Sequence, residues 1–414
     1  MSGASRPMLT FAVAMFIAAK PIVASQPSAL DDPVYRARFE RLRGARTAAY
    51  YAPVEAIPGA RRFRPLPIAR PADRSIDAAA LDAARAYARE NNSTAFLVWR
   101  AGTIQTAEYF GGTRASDALV SLSLAKPLAV LAVGRAMALG HIKSLDQSMT
   151  DFIPEWQGTP KATMTLRMVL EMRSGLKKQE YAGAEVADPE NILNRAYLGT
   201  HIEDTLIADY PLTDPPGSTY AYSQANGDLV AIVVERATGR RYAEFLSREL
   251  IQPTGGRGGT VWVDREGGLA HSGCCTMLPA ETWLRMGILL LNDGLWNTKR
   301  LLPEGFVAEI RRGSMQNPYY GAGIYPAGVY TPRRPPHNPL QGEPFEAEDL
   351  YMLDGNANQV LYVIPSAKLV ILRMGTRPPS SPEWDNAVLP NLLLRGLTSM
   401  PGEIHPRPQA TAAP

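Results

Sequence analysis

This chain of 414 residues contains only two cysteines and five histidines, and its formal net charge is only +3. The cysteines and histidines show no zinc-binding spacing, and the chain lacks a glycine-rich phosphate loop and a Gly-x-Ser-x-Gly elbow. These absences argue against a metalloenzyme, a nucleotide-binding enzyme and an α/β-hydrolase. A small and scattered charge also argues against a nucleic-acid partner. We therefore expect no metal, no cofactor and no nucleic acid.

The two cysteines, Cys274 and Cys275, are adjacent in the chain. Neighbouring Cα atoms lie about 3.8 Å apart, which is too close for an ordinary disulfide. We therefore expect no disulfide framework. We interpret the pair as small buried residues in a glycine-flanked turn, in preference to a reactive vicinal pair.

The N-terminus has the layout of a secretory signal peptide. Arg6 precedes an apolar stretch from Met8 to Ala19, and the small residues Val23-Ala24-Ser25 offer a cleavage site. About a dozen apolar residues are few for a spanning helix, so we expect a periplasmic or secreted protein without a stable membrane span. Lys20 and Pro21 interrupt the approach to the cleavage site, which leaves an uncleaved anchor as the alternative.

The full chain is 45% hydrophobic and 20% charged, which is typical of a globular protein. We predict a signal peptide at 1–25, an N-terminal extension at 26–75, one main domain at 76–400 and a disordered tail at 401–414. Strand patterns occur near both ends of the main domain, and helical patterns fill the region between them. This order predicts a mixed α/β (α+β) fold, in which an antiparallel sheet formed from both chain ends is flanked by helices and joined to a mostly helical lobe.

The individual elements follow from local patterns. The predicted strands are Thr94 to Trp99, Thr103 to Phe110, Val360 to Ile364 and Leu369 to Met374. The predicted helices are Asp77 to Glu90, Leu166 to Met172, Gly227 to Ala237, Tyr242 to Leu250, Ala280 to Leu291 and Asn386 to Leu397.

The tetrad Ser123-Leu124-Ala125-Lys126 stands at the head of an almost uninterrupted apolar run, Pro127 to Leu139. This run predicts a helix buried on all sides. Because three residues make about one helical turn, the Lys126 amine would lie beside the Ser123 hydroxyl, and burial would lower the pKa of the amine. The pattern predicts a serine nucleophile with its own base.

A second match to the same pattern, Ser174-Gly175-Leu176-Lys177, has a different setting. It follows the short predicted helix, and Gly175 stands where a helix C-cap glycine belongs. We interpret this second match as structural.

The segment Tyr220 to Asn226 follows the breaker Pro215-Pro216-Gly217 and precedes a helix, which places it on a loop. A phenol near Ser123 and Lys126 could pass the serine proton to a leaving group. Both Tyr220 and Tyr222 lie on this loop, and the local pattern does not choose between them. A packed aromatic loop without a chemical role is the other interpretation.

Several motifs together resemble the serine β-lactamase-related family, which includes class C β-lactamases, D-Ala-D-Ala carboxypeptidases, family-VIII esterases and 6-aminohexanoate-dimer hydrolases. They are Ser123-x-x-Lys126, Gly140-His141-Ile142-Lys143-Ser144-Leu145-Asp146, Arg173-Ser174-Gly175-Leu176, Tyr222-Ser223-Gln224 and Gln359-Val360-Leu361-Tyr362-Val363-Ile364-Pro365. The likeness spans roughly residues 80–398, and the tyrosine motif is most similar to the aminohexanoate-dimer hydrolase branch. It implies a β-lactamase/transpeptidase-like fold.

The resemblance also implies roles for individual residues. Ser123 would be acylated, Lys126 and Tyr222 would manage its proton, and the backbone N–H groups of Ser123 and Asn356 would form an oxyanion hole. Further candidates for substrate or oxyanion binding are Tyr181, Gln224, Asn226, Asp354, Gly355 and Asn356.

Two departures from the family pattern bear on the substrate. Gln224 stands where penicillin-recognising members usually carry asparagine, and Leu353-Asp354-Gly355 replaces their Lys-Thr-Gly. The anion-binding lysine is missing, and a charged Asp354 would repel a carboxylate, so we expect a neutral or amine-bearing small-molecule amide or ester as the partner. The alternatives are a penicillin-interacting D-Ala peptidase or β-lactamase, and a catalytically inactive binding protein of the same fold. The sequence indicates no particular oligomeric state.

Overall fold

A computed structural model of the chain describes residues 28–41, 48–179, 184–328, 330–333 and 340–398. The predicted signal peptide, the predicted tail and Tyr181 lie outside these residues. Export therefore stays a prediction. Within the described ranges, no helix is both long and apolar enough to cross a membrane.

The strands and helices are numbered in chain order. The strands are β1 Val54–Ile57, β2 Ser93–Arg100, β3 Thr103–Tyr109, β4 Leu119–Val120, β5 Gly259–Trp262, β6 Thr276–Leu278, β7 Leu295–Trp296, β8 Lys299–Arg300, β9 Tyr325–Pro326, β10 Tyr351–Gly355, β11 Gln359–Ile364 and β12 Leu369–Gly375. The helices are α1 Pro33–Arg41, α2 Ala78–Glu90, α3 Ala125–Ala138, α4 Leu166–Leu170, α5 Ala184–Ala187, α6 Ile192–Leu198, α7 Ile202–Asp204, α8 Gln224–Thr238, α9 Tyr242–Leu246, α10 Ala280–Leu291, α11 Phe306–Ile310 and α12 Val388–Arg395.

The main sheet has the order β3-β2-β12-β11-β10-β9, and all of its strand pairs are antiparallel. Within it β2 pairs with β12, which joins the two ends of the chain. Ala101 and Gly102 turn β2 into β3 with positive φ angles of 46° and 108°. The prediction that strands from both termini close one sheet is therefore confirmed.

Helices cover both faces of this sheet. On one face, α2 and α12 pack with Phe96, Val98 and Ile371 in a common apolar cluster. On the other face, α10 packs on the sheet, and α3 and α8 lie in the same apolar core. This core is continuous because α3 is buried along almost its whole length, as its apolar sequence predicts. The arrangement is the expected mixed α/β fold.

A second sheet, with the order β1-β5-β6-β4, lies partly in the middle of the chain, for which the sequence patterns predict mainly helices. Its strands have two to four residues each, too few for an alternating pattern to be visible. Aromatic side chains from the N-terminal segment cover it, with the ring of Tyr51 5.4 Å from that of Trp262. This sheet matters because β4 leads directly into the Ser123 turn.

Cys274 and Cys275 form a vicinal disulfide, with their Cα atoms 3.7 Å apart. The preference for unbonded cysteines over a vicinal pair is therefore wrong, whereas the expected burial is confirmed, with Cys274 5% and Cys275 0% exposed. An extended dipeptide points its side chains to opposite faces, but Cys275 has a φ of +71°, which interrupts that alternation.

Gly175 does not cap a helix, which is a second correction. The preceding helix α4 ends at Leu170, two residues earlier than predicted, and Met172 already has a φ of +58°. The glycine is needed for another reason, because a Cβ at this position would lie 2.2 Å from the carbonyl oxygen of Asp214.

Candidate active site

Ser123 lies on a short 3-10 turn that leads into α3. The preceding residue, Leu122, has a φ of +48°, a conformation that is unusual for a branched side chain and that marks a strained turn. Two backbone hydrogen bonds tie this turn to the start of β6. Ser121 N–H donates to Thr276 O at 3.1 Å, and the N–H of Cys275, just before β6, donates to Leu122 O at 3.4 Å. Ser123 is half-buried, so its hydroxyl is not sealed inside the core.

Lys126 lies one turn further along α3, and its Nζ is 3.3 Å from Ser123 Oγ. The side chain is only 4% exposed. Burial lowers the pKa of Lys126 to about 7, although the charge of Asp228 acts in the opposite direction. A lysine with this pKa is partly neutral near pH 7, and a neutral amine can accept the proton of a hydroxyl group.

Two further acceptors surround the same amine. Nζ donates to Gln224 Oε1 at 2.9 Å and to Gly273 O at 2.7 Å. Gln224 is the first residue of α8, and its backbone N–H is held by Gln179 Oε1 at 2.7 Å. The structure thus gives Gln224, a sequence-based candidate, a contact with Lys126.

Tyr222 lies beside Lys126, with Nζ 4.9 Å from the centre of its ring. The side chain is 7% exposed and belongs to a group of packed tyrosines. Its ring centre is 6.1 Å from that of Tyr320, which in turn is 5.0 Å from that of Tyr325. The structure therefore brings Ser123, Lys126 and Tyr222 together, as expected from the sequence.

The end of strand β10 lies against the Ser123 turn. A Cβ on Gly355 would be 2.7 Å from Leu124 N, 2.8 Å from Ser121 O and 3.3 Å from Ser123 N. Only glycine permits this close approach of the two backbones. The exposed Asn356 follows at once, and its Oδ1 accepts from Arg377 Nη2 at 3.4 Å. The backbone groups assigned to an oxyanion hole thus come from neighbouring segments.

The sequence predicts that Asp354 presents a charge to the substrate, but the structure buries its side chain. Its side chain is 7% exposed, and burial raises the pKa of its carboxyl group to about 7. Side chains alternate along a strand, so Asp354 lies on the face of β10 opposite to the side on which Gly355 meets the Ser123 turn. Any influence of its charge on a substrate acts from the protein interior.

The other candidates from the sequence are Asn226, Ser174 and Tyr181. Asn226 is buried, and its Nδ2 donates to Met172 Sδ at 3.5 Å. Ser174 is 1% exposed, and its Oγ accepts from Leu176 N–H at 3.2 Å, so this hydroxyl shapes a turn. Tyr181 lies outside the described residues.

A small cavity adjoins Lys126 between α3, α4 and α8. Asn226 Oδ1 is buried beside it and has no hydrogen-bond partner among the described residues. The cavity is lined by Lys126, Val130, Val169, Leu170, Met172, Asn226, Gly227, Val230, Tyr320 and Gly323.

Three residues near the base were not predicted from the sequence: Asp228, His271 and Gly273. Asp228 accepts from Gln224 Nε2 and from Gly273 N–H, and His271 Nδ1 lies 3.2 Å from its Oδ2. The sequence patterns place Gln224 on a loop before the predicted helix Gly227 to Ala237, so its four-residue helical spacing to Asp228 becomes visible only because α8 begins at Gln224 in the structure. Gly273 acts through its backbone carbonyl, which no residue pattern reveals.

Comparison with known proteins identifies the family of this chain. A family model described as Beta-lactamase matches residues 79–390. The chain belongs to the β-lactamase family. The resemblance inferred from the sequence motifs is therefore confirmed, and so is the fold that it implied.

Members of the β-lactamase family with curated names are similar to this chain. It is 28% identical over 253 residues to the 6-aminohexanoate-dimer hydrolase of Paenarthrobacter ureafaciens, a match that covers 58% of this chain and 64% of that protein. It is 31% identical over 217 residues to esterase EstB of Burkholderia gladioli, covering 50% and 51% of the two chains. Each match spans less than two thirds of the relative.

Solved structures support the fold. A Bacillus anthracis protein assigned as a 6-aminohexanoate-dimer hydrolase has a TM-score of 0.65 at 19% identity and covers 88% of this chain and 94% of its own. A penicillin binding protein from Bacillus halodurans has a TM-score of 0.52 at 15% identity, covering 72% and 96%. At these identities the likeness concerns the fold alone.

Proposed function

We propose that this protein is a serine hydrolase that cleaves a small-molecule amide or ester through an acyl-enzyme intermediate. The observation that carries the proposal is the 3.3 Å approach of Lys126 Nζ to Ser123 Oγ, by an amine whose pKa burial lowers to about 7. A serine hydroxyl needs such a base to become a nucleophile at neutral pH.

The proposed reaction has two halves. Ser123 Oγ bonds to the carbonyl carbon as its proton passes to Lys126 Nζ, and the carbonyl electron pair moves onto oxygen. Collapse of this intermediate breaks the C–N or C–O bond, and the leaving group takes a proton by way of Tyr222. Water then attacks the acyl ester, which releases the acid and restores Ser123. Backbone N–H groups of Ser123 and Asn356 would stabilise the oxyanion.

The substrate class follows from charge and from the relatives. The names of the two curated relatives refer to the hydrolysis of a 6-aminohexanoate dimer and to an esterase. Leu353-Asp354-Gly355 contains no cation for an anionic substrate, which disfavours penicillins and D-Ala peptides. We therefore propose a neutral or amine-bearing linear amide or ester.

Labelling with a fluorophosphonate tests the proposal, because the probe phosphonylates an activated serine and loses fluoride. We expect one label on Ser123, none after Ser123→Ala, and unchanged labelling after the matched Ser174→Ala. Absence of a label in the folded wild type would favour the inactive binding protein. Protection of Ser123 by penicillin, but not by a linear amide, would favour the peptidase or β-lactamase.

A further inference from the structure

A buried carboxylate lies behind the candidate base. Asp228 is 1% exposed and belongs to α8, one turn after Gln224. Its Oδ1 accepts from Gln224 Nε2 at 3.0 Å and from Gly273 N–H at 2.9 Å. One oxygen atom therefore binds two residues that come from different parts of the chain.

The same two residues present their own oxygen atoms to Lys126. The amide group of Gln224 could be placed either way round on shape alone, because its oxygen and nitrogen are nearly equal in size. An acceptor on the far side requires Nε2 to point at Asp228, so that Oε1 points at Nζ. Gly273 is held in the same way, with its N–H on Asp228 and its carbonyl on Lys126.

This arrangement determines the direction of the amine lone pair. A neutral lysine has two N–H bonds and one lone pair. If the two N–H bonds point to Gln224 Oε1 and Gly273 O, the lone pair is left for the third neighbour, Ser123 Oγ at 3.3 Å. The amine is then oriented to accept the hydroxyl proton rather than to donate to the hydroxyl oxygen.

The charge of Asp228 also bears on the amine. Burial has the stronger effect and lowers the pKa of Lys126, while the carboxylate acts to raise it. Other titratable groups face this carboxylate from neighbouring elements. One is His271, with Nδ1 3.2 Å from Oδ2. The others are Tyr210 and Tyr242, whose pKa values are raised by burial and further by the carboxylate.

We propose that Asp228 is a positioning residue, which orients Gln224 and Gly273 so that the Lys126 lone pair faces Ser123, and whose negative charge favours the protonated form of that base. This inference rests on the proposed serine-hydrolase function. Asp228 touches neither the nucleophile nor the substrate in this scheme, because its effect passes through the two acceptors of the base.

Asp228→Asn tests the charge while it preserves the shape. The oxygen of the new amide can still accept from Gln224 and Gly273, so the variant should fold. Loss of the negative charge lowers the pKa of Lys126, and the acid limb of the fluorophosphonate inactivation rate should move down by about one pH unit. Asp264→Asn is the matched control, since Asp264 is equally buried but binds Ile202 N–H and Arg265. Its acid limb should stay in place.

Asp228→Ala tests the orientation. Gln224 Nε2 and Gly273 N–H lose their acceptor, so the maximal inactivation rate and kcat on a neutral ester should fall by on the order of tenfold or more, while KM changes by less than about twofold. A variant that misfolds will show a changed circular dichroism spectrum, and the test then depends on Asp228→Asn alone.

The outcomes separate this inference from the proposed function. If wild-type Ser123 takes no label, the serine-hydrolase proposal fails. If wild-type Ser123 is labelled but the acid limb of Asp228→Asn coincides with that of the wild type, or moves no further than that of Asp264→Asn, the role of Asp228 is overturned.

Discussion

Ser123 and Ser174 stand in the same four-residue pattern but in different surroundings. Ser123 has a buried amine 3.3 Å away, whereas the Ser174 hydroxyl is buried and accepts from Leu176 N–H. We predict that Ser123→Ala abolishes hydrolysis of short p-nitrophenyl esters, and that Ser174→Ala retains activity. Steady-state assays of both variants, each checked for folding by circular dichroism, decide this. Equal loss in the two would remove the distinction on which the assignment depends.

Tyr222 is expected to act on the proton and not on binding. We predict that Tyr222→Phe lowers kcat on an amide by about 10²-fold or more, with little change in KM.

Lys126→Ala should also lower kcat by about 10²-fold or more with little change in KM. The double variant should lose little more kcat than either single variant, because the two groups serve one proton path. If Tyr222→Phe keeps wild-type turnover, the role passes to Tyr220 or Tyr181.

Asp354 makes the expected substrate preference dependent on pH. Burial raises the pKa of this carboxyl group to about 7, so it is neutral in acid and gains its charge as the pH rises through 7. We predict that discrimination against a carboxylate-bearing ester, relative to a matched amine-bearing ester, grows between about pH 6 and pH 8 in the wild type. The measurement is the ratio of kcat/KM for the two esters at low salt.

Asp354→Asn is the test of that assignment, because it removes the charge at every pH. In Asp354→Asn, the ratio of kcat/KM for the two esters should depend on pH only through the titration of the esters themselves. The growth in discrimination near pH 7 should disappear. A pH dependence equal to that of the wild type would mean that Asp354 does not influence the substrate.

Among the secondary-structure elements, the approach of β10 to the Ser123 turn depends on one glycine. We predict that Gly355→Ala pushes the strand away from the turn, since its Cβ would meet Leu124 N at 2.7 Å and Ser121 O at 2.8 Å. Loss of one oxyanion donor costs about 10²–10³ in kcat. Activity assays and a thermal melt should show a large loss of kcat in a protein that still folds. Unchanged kcat would exclude this strand from the oxyanion site.

Some helices and strands could be predicted from the sequence, and others could not. Helices α2, α8 and α10 and strands β2, β3, β11 and β12 are long enough for their patterns to be recognised. Strands β4, β5 and β6 are too short for that, and only pairing with distant partners makes them strands. The segment that holds the Ser123 turn from outside therefore could not be predicted.

In the molecule as a whole, Arg38 links the N-terminal segment to the main body. It is 5% exposed and donates to the carbonyl oxygens of Leu198, Gly199, Ala52 and Asp264. We predict that Arg38→Ala lowers the free energy of unfolding by roughly 3 kcal/mol, because several buried acceptors lose a charged donor.

Arg36→Ala is the matched control for this prediction, since Arg36 lies on the same helix but is exposed and donates to the nearby Leu30 O. It should cost less than about 1 kcal/mol. Urea unfolding of both variants measures the difference, and equal midpoints would show that Arg38 does not stabilise the packing of this segment.

The local parts of this protein can be read from the amino-acid sequence without the fold. The apolar run after Lys126 specifies a buried helix, and the spacing of three residues puts the Lys126 amine one turn from Ser123. The same local rules specify the hairpins at both chain ends. Each of these features depends on residues that are close together in the chain, so a pattern can record it.

The surroundings of the base, in contrast, depend on the tertiary structure. Lys126 meets Gln224 across 98 residues and Gly273 across 147, and the second contact is to a backbone carbonyl. Gly355 meets the Ser123 turn by backbone proximity, and the interior of the fold gives Asp354 its raised pKa. Desolvation and backbone hydrogen bonds depend on the folded arrangement of all these segments, and no single segment of the sequence contains that arrangement.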